Sequence, residues 1–261
     1  MAITKASEAI PRPLAEARRR GLAPSAAFGW LAAGWRDLLV RPLDSLIYGL
    51  VVFLVSVVVI WSLFALNLDY ILFPALAGFM VVGPLVAIGL YAKSRAIARG
   101  ERITLAGMLF VKARSGGQVL FTGAILCLLM LVWMRAAVII YALFFGLRPF
   151  PGLDHVASML FTTPVGLAML LVGTVVGGLF AAFSFAISTF AIPMLLDEKT
   201  DAFTAMGTSI SLVWNNLPVM LAWGAIVLAL FVLCVATGLI GLIVVFPLLG
   251  HATWHSYEAM K

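Results

Sequence analysis

His251 and His255 are the two side chains best placed by type and spacing to hold a metal or a haem. Four residues apart on a helix, their imidazoles share one face. Zinc takes three or four protein ligands, whereas haem can use a single histidine. No cysteine, third histidine or Glu-x-x-His stands beside them, and Asp197 and Glu198 would have to arrive from another part of the chain. A second reading therefore stands beside the first: His251 donates a hydrogen bond in a core, while Trp254, His255 and Tyr257 form an interfacial belt.

Arg135 is the other chemical suspect, because it lies inside a long apolar run and a guanidinium in hydrocarbon is costly. It could hold an anion, a haem propionate or a partner's carboxylate. Alternatively, its stem snorkels to the interface and its head pairs with Asp69 or Asp154. Asp197, Glu198, Lys199 and Asp201 form an acidic turn, expected to pair with Arg95, Arg99 and Arg102, with Asp201 capping the helix that follows. Gly173 and Gly177 make a small-residue face for close helix approach, and Ser184 and Ser188 share a face from which hydroxyls could bond between helices. Either pair could serve packing within the chain or docking to a partner. No phosphate-binding glycine loop, His-Glu-x-x-His, Gly-x-Ser-x-Gly or Ser-His-Asp set is present, so the expectation is a protein that is not an enzyme. Nor do acidic residues thread the apolar runs, as proton-coupled carriers tend to require.

The elements that must carry these residues follow from composition. Of 261 residues 64% are hydrophobic and 11% charged, with a mean hydropathy of +1.14. A soluble domain carries about 25% charged residues, so the medium is lipid and the fold class all-α, a polytopic membrane bundle. Crossing about 30 Å of hydrocarbon takes about 20 apolar residues. Leu46–Leu66, Tyr70–Ala92, Val119–Leu147, Val165–Leu196 and Leu217–Leu249 all qualify, and Thr237–Gly241 divides the last into two crossings. Six transmembrane helices result, arranged as three hairpins. Cys127 and Cys234 lie in apolar runs and offer no disulfide framework or thiolate cluster. Residues 1–24 read as a flexible basic tail without the apolar core of a signal peptide, and residues 25–261 as one transmembrane domain. With six crossings, all seventeen basic residues except Arg135 and Arg148 fall on one side. The positive-inside rule makes that side cytoplasmic, with both termini there. Anionic lipid and topology thus account for the net charge of +6, with no need for nucleic acid.

A threefold pattern runs through the chain. An amphipathic helix is predicted ahead of each hairpin: Phe28, Leu31, Ala32, Trp35, Leu38 and Leu39 in the first, a weaker one around Ile103–Lys112, and Phe203, Met206, Ile210, Val213 and Trp214 in the third. Pro84, Pro193 and Pro247 recur in the second helix of each hairpin, where a proline kinks the backbone. The units so defined are 25–99, 100–198 and 199–261.

The strings Gly83-Pro84-Leu85…Gly89-Leu90-Tyr91…Ser94-Arg95, Phe183-Ser184-Phe185…Pro193-Met194…Asp197 and Pro247-Leu248-Leu249-Gly250-His251-Ala252-Thr253-Trp254-His255 resemble domain-of-unknown-function family 2189, uncharacterised bacterial integral membrane proteins. The resemblance covers roughly residues 25–258, and the last string is its most specific part. It implies a bacterial inner membrane and, through a label given to some members as like cytochrome c oxidase subunit I, a respiratory neighbourhood. Three histidines in the whole chain are too few for the metal centres of such a catalytic subunit. The expected function is an accessory or assembly subunit that docks in the membrane onto a larger complex, its partners being membrane lipids and other integral subunits. A small transporter or channel with Arg135 lining the path is the alternative. No cofactor is expected beyond bound phospholipid, with haem at the histidines as the exception.

Overall fold

The computed structural model describes residues 18–146 and 152–261. Among them the chain forms α-helices and one short 3₁₀ turn, with no strand. The helices are α1 (Ala26–Leu39), α2 (Pro42–Ala65), α3 (Leu72–Val86), α4 (Ile88–Ala98), α5 (Leu105–Leu109), α6 (Gly116–Phe145), α7 (Leu153–Thr162), α8 (Pro164–Asp197), α9 (Ala202–Asn215), α10 (Leu217–Ala236) and α11 (Leu242–Met260).

Five helical stretches are long and apolar enough to cross a membrane: α2, α3 with α4, α6, α8 and α10. The 19-residue α11 is not among them, because its second half carries His251, Thr253, His255, Ser256 and Glu258. Proline shapes several of these elements. Pro42, Pro164 and Pro218 occupy first turns, where a missing N–H leaves nothing unsatisfied. Pro84 lies inside α3, which gives way to α4 at Ala87.

Cross-links show which helix ends lie together. Arg99 and Lys261 both bind Asp197, at 2.7 and 2.6 Å, and the Arg114 N–H donates to the Leu196 carbonyl. The Arg20 N–H donates to Asn216 Oδ1 (2.8 Å) and its Nε to the Met260 carbonyl (3.1 Å). The ends of α4, α8 and α11 and the starts of α6 and α10 therefore share one basic end, so α11 returns to the end from which α10 departs. At the opposite end the chain turns through Asn67 and through Gly238-Leu239, all with positive φ. Residues 18–24, read from sequence as part of a flexible tail, are anchored by the Arg20 bonds and by Asn216 Nδ2 donating to the Arg18 carbonyl. Residues 1–17 and Arg148 lie outside the described part.

The packed core gathers around α11, which lies against α1, α2 and α4. Two glycines permit that approach. A Cβ at Gly34 would stand 2.6 Å from the Ala252 nitrogen, and one at Gly49 would collide with the Ile243 carbonyl. The apolar stripes read in α1 and α9 are divided between core and exterior: Leu38, Met206 and Val213 are buried. Phe28, Trp35 and Leu39 of α1 point outward, as do Phe203, Ile210 and Trp214 of α9. What α1 buries is Ala27, Trp30, Ala33, Gly34, Asp37 and Leu38, because small residues let it lie close to α11. The middle segment forms only the five-residue α5.

Candidate functional site

Where α1, α2, α4 and α11 meet, the structure assembles a chain of buried polar groups. Lys93 of α4 is 3% exposed. Its Nζ donates to Ser45 Oγ at 2.7 Å and to the Arg41 carbonyl at 3.0 Å. Ser45 meets His251 Nε2 at 2.9 Å, and Ser94 meets His251 Nδ1 at 2.8 Å. Ser94 also helps to hold the Asp37 carboxyl ionised, and Asp37 Oδ2 lies 2.8 Å from His255 Nε2. Directionality assigns the tautomer. Lys93 can only donate, so the Ser45 hydroxyl is free to donate to Nε2. Nε2 therefore accepts, and Nδ1 of the neutral ring carries the proton and donates it to Ser94. His251 is thus a neutral link in a chain that runs from Lys93 through Ser45 to Ser94, with the Asp37–His255 pair on the next turn of α11.

Asp37 lies outside the membrane-crossing helices. Burial, the largest influence, pushes its carboxyl up, but the hydrogen bonds from His255 and Ser94 and the field of the imidazoles together outweigh it. Its pKa lies below the ordinary carboxylate value. A buried charge without such partners would cost several kcal/mol, about 3–5 when one member of a pair is removed. The network therefore locks four helices in one arrangement.

A second cluster closes the same end. Asp197 accepts from Arg99 and Lys261, and Arg95 donates to the Leu196 carbonyl. The Tyr257 hydroxyl donates to Glu198 Oε1 at 2.8 Å. Asp201 Oδ1 accepts from the Thr204 N–H at 2.9 Å and caps α9. The hydrogen bond to Asp197 and the carboxylates around it raise the Lys261 ammonium above its usual pKa.

The residues singled out by sequence are distributed as follows. His251 and His255 enter one network. Both ring nitrogens of His251 engage serine hydroxyls, and no group of three metal-ligating side chains stands together among the described residues. His251 is fully buried, and Trp254 and Tyr257, expected in an interfacial belt with His255, are buried too, because this part of α11 packs against α1, α2 and α4. Arg135 is exposed on α6, and no ion pair joins it to Asp69 among the described residues; the Asp154 side chain lies outside them. Gly177 accommodates Trp133 of α6, whereas nothing lies near Gly173. Ser184 and Ser188 are buried, yet their hydroxyls donate to the Phe180 and Ser184 carbonyls of their own helix, not between helices.

Sequence reasoning passed over Lys93, Ser45, Ser94 and Asp37. A signal existed for Asp37, which stands in line with Ala27, Trp30 and Gly34 at helical spacing, the stripe that α1 buries. Ser45 and Lys93-Ser94 carried no pattern of their own, because each sits at the ragged polar edge of an apolar run.

Two apolar clefts open between the helices. One, of about 150 Å³, is walled by aromatic residues including Trp133, Phe180, Trp223 and Phe231. The other, of about 550 Å³, runs between α2 and α3.

Apolar helices gathered by a polar lock at one end define a polytopic helical membrane protein. Residues 72–197 match the family model described as predicted integral membrane protein (DUF2189). The matched stretch opens on the first residue of α3 and closes on the last of α8, so it contains the first two strings that carried the resemblance. The third string and His251 lie beyond it, and of the polar relay it holds only Lys93 and Ser94. No curated protein and no solved structure matches the chain.

Proposed function

We propose that this protein is a non-catalytic accessory or assembly subunit of a larger complex in a bacterial inner membrane. In this reading it crosses six times, α11 being the sixth crossing, with both termini in the cytoplasm. The gathering of basic groups at one end supports that orientation by the positive-inside rule.

The observation that carries the reading is the lateral face of α8. Leu167, Leu171, Val175, Leu179 and Phe183 stand four residues apart and all are more than half exposed. They form the i±4 ridge that packs into a neighbouring helix's groove. Gly178, one turn from Val175 and next to Leu179, has open space where a Cβ would be, which lets a partner backbone come close. Within the most apolar 18 residues of each crossing stretch only 6% to 22% are buried within the chain, so the mid-helix surfaces are left largely to lipid or to other components. The alternative, a transporter with Arg135 on its path, draws less support: Arg135 lines neither cleft, and both clefts are walled almost wholly by apolar side chains. The label attached to the family makes respiratory assemblies the first partners to look for.

Native purification in mild detergent tests this reading. The chain is expected to migrate within a larger membrane complex, and Leu171→Trp with Leu179→Trp should release it while leaving its own fold intact. Recovery of the chain alone, with no complex altered by its deletion, would overturn the proposal. Substrate flux in liposomes that Arg135→Ala abolishes would establish the transporter instead.

A further inference from the structure

The groove between α2 and α3 has a shape that selects its occupant. On α2 its wall runs from Tyr48 to Leu63 at helical spacing, a length of about 22 Å at 1.5 Å per residue. Spread over that length, about 550 Å³ leaves ample room for an extended hydrocarbon chain lying along the helix. Its floor is apolar, formed by Met130 and Met134 of α6 and Phe231 of α10. The two hydroxyls along it are already committed: Tyr48 donates to the Val86 carbonyl (2.6 Å) and Ser56 to the Val52 carbonyl (2.8 Å). A polar solute would find no donor there.

The basic end of the groove is set by Tyr48 and by Leu109 of α5. The α5 backbone at Met108 presses on Gly89, with the Tyr48 ring beside it, so α5 is fixed at this mouth. Two exposed cations stand close to it in sequence. Lys112 follows Leu109 by three residues and has no ion pair among the described residues. Arg41 precedes Tyr48 by two turns, 55% of its side chain exposed even while paired with Asp44.

We propose that this groove is a binding site for one acyl chain of an anionic glycerophospholipid, whose phosphate meets Lys112 and Arg41. Length, apolar walls and positive charge at one mouth are together the signature of a lipid standing in the leaflet on the basic side. The inference is independent of the docking face on α8, which lies on another helix. It also separates structural lipid from solvating lipid: a chain in the groove packs against α2, α3 and α6 at once and fills a space that would otherwise be void.

The test compares lipid retained by the full chain after detergent purification, by native mass spectrometry, following exchange into micelles containing equal phosphatidylglycerol and phosphatidylcholine. Wild type is expected to hold one lipid per chain and to favour phosphatidylglycerol by about thirtyfold, as two basic groups at the membrane surface would give. Val55→Trp with Val59→Trp, at exposed groove positions, should fill the site and abolish retention while circular dichroism and size-exclusion profiles stay those of wild type. Lys112→Glu with Arg41→Gln should keep a bound chain but lose the preference for phosphatidylglycerol. Retention unchanged by the tryptophans, or equal retention of both lipids by wild type, would overturn the proposal. A co-purified protein cross-linking to a cysteine introduced at Val55 would equally overturn it.

Discussion

His251→Leu cuts the relay at its middle while roughly keeping side-chain volume. It removes two hydrogen bonds, at 2.9 and 2.8 Å. Interhelical hydrogen bonds in membrane proteins average about 0.6 kcal/mol, and that sets the loss at Ser94, which loses a donor and keeps its own proton free to find an acceptor. Ser45 loses the acceptor of its own proton, and an orphaned buried hydroxyl costs about 1–3 kcal/mol. The total expected loss is about 2–4 kcal/mol. Unfolding of the purified protein in mixed micelles, as dodecyl sulfate replaces a mild detergent, reads it directly. Ser45→Ala should cost more than Ser94→Ala, because it also strips the buried Lys93 ammonium of an acceptor. Paired with His251→Leu, each serine change should show a coupling of about 0.5–3 kcal/mol, as residues of one network do. If His251→Leu lies within about 0.5 kcal/mol of wild type, or if the cycles are additive within that margin, the network is not the lock described here.

Gly34→Val should destabilise by about 1–3 kcal/mol, the cost of overpacking, because its Cβ would meet the Ala252 backbone at 2.6 Å. Gly29→Ala, on the same helix with open space around it, should stabilise by about 0.5–1 kcal/mol; the same micelle titration checks both. Asp37 has a folded pKa below its unfolded value, so its contribution is complete above about pH 4 and disappears as pH falls through the folded pKa. The stability gap between wild type and Asp37→Asn should accordingly be constant at neutral pH and close in strong acid; a gap that closes between neutral pH and about pH 5 would refute the assignment. Arg135→Leu should leave the isolated chain within about 0.5 kcal/mol of wild type, as surface changes do, and a larger loss in the unfolding midpoint would mean that Arg135 has a partner inside the chain.

Much of the fold was legible in composition because lipid leaves so little choice. Backbone groups in hydrocarbon must be satisfied internally, so long apolar runs had to be helices, and the helices fall where those runs fall. The break inside the fifth run was legible too, since Thr237-Gly238 and Gly241 supply the turn that α10 and α11 use. Facing was not. An apolar stripe in water must turn inward, but in lipid Phe28, Trp35 and Trp214 are equally stable pointing out. The buried face of α1 was therefore chosen by fit, through Gly34 and Ala252, and not by hydrophobicity.

The amino-acid string alone determined the solvent, the helical class and the clustering of positive charge, because each depends on totals and run lengths that hold whatever the packing. Tertiary structure alone decided that His251 would stand between Ser45 and Ser94, that Lys93 would head that relay with the Asp37–His255 pair on the next turn of α11, and that α2 and α3 would part to leave a groove. Those outcomes depend on which helices come within hydrogen-bond reach of α11, and residues 37, 45, 94 and 251 are too far apart along the chain for any local pattern to record it.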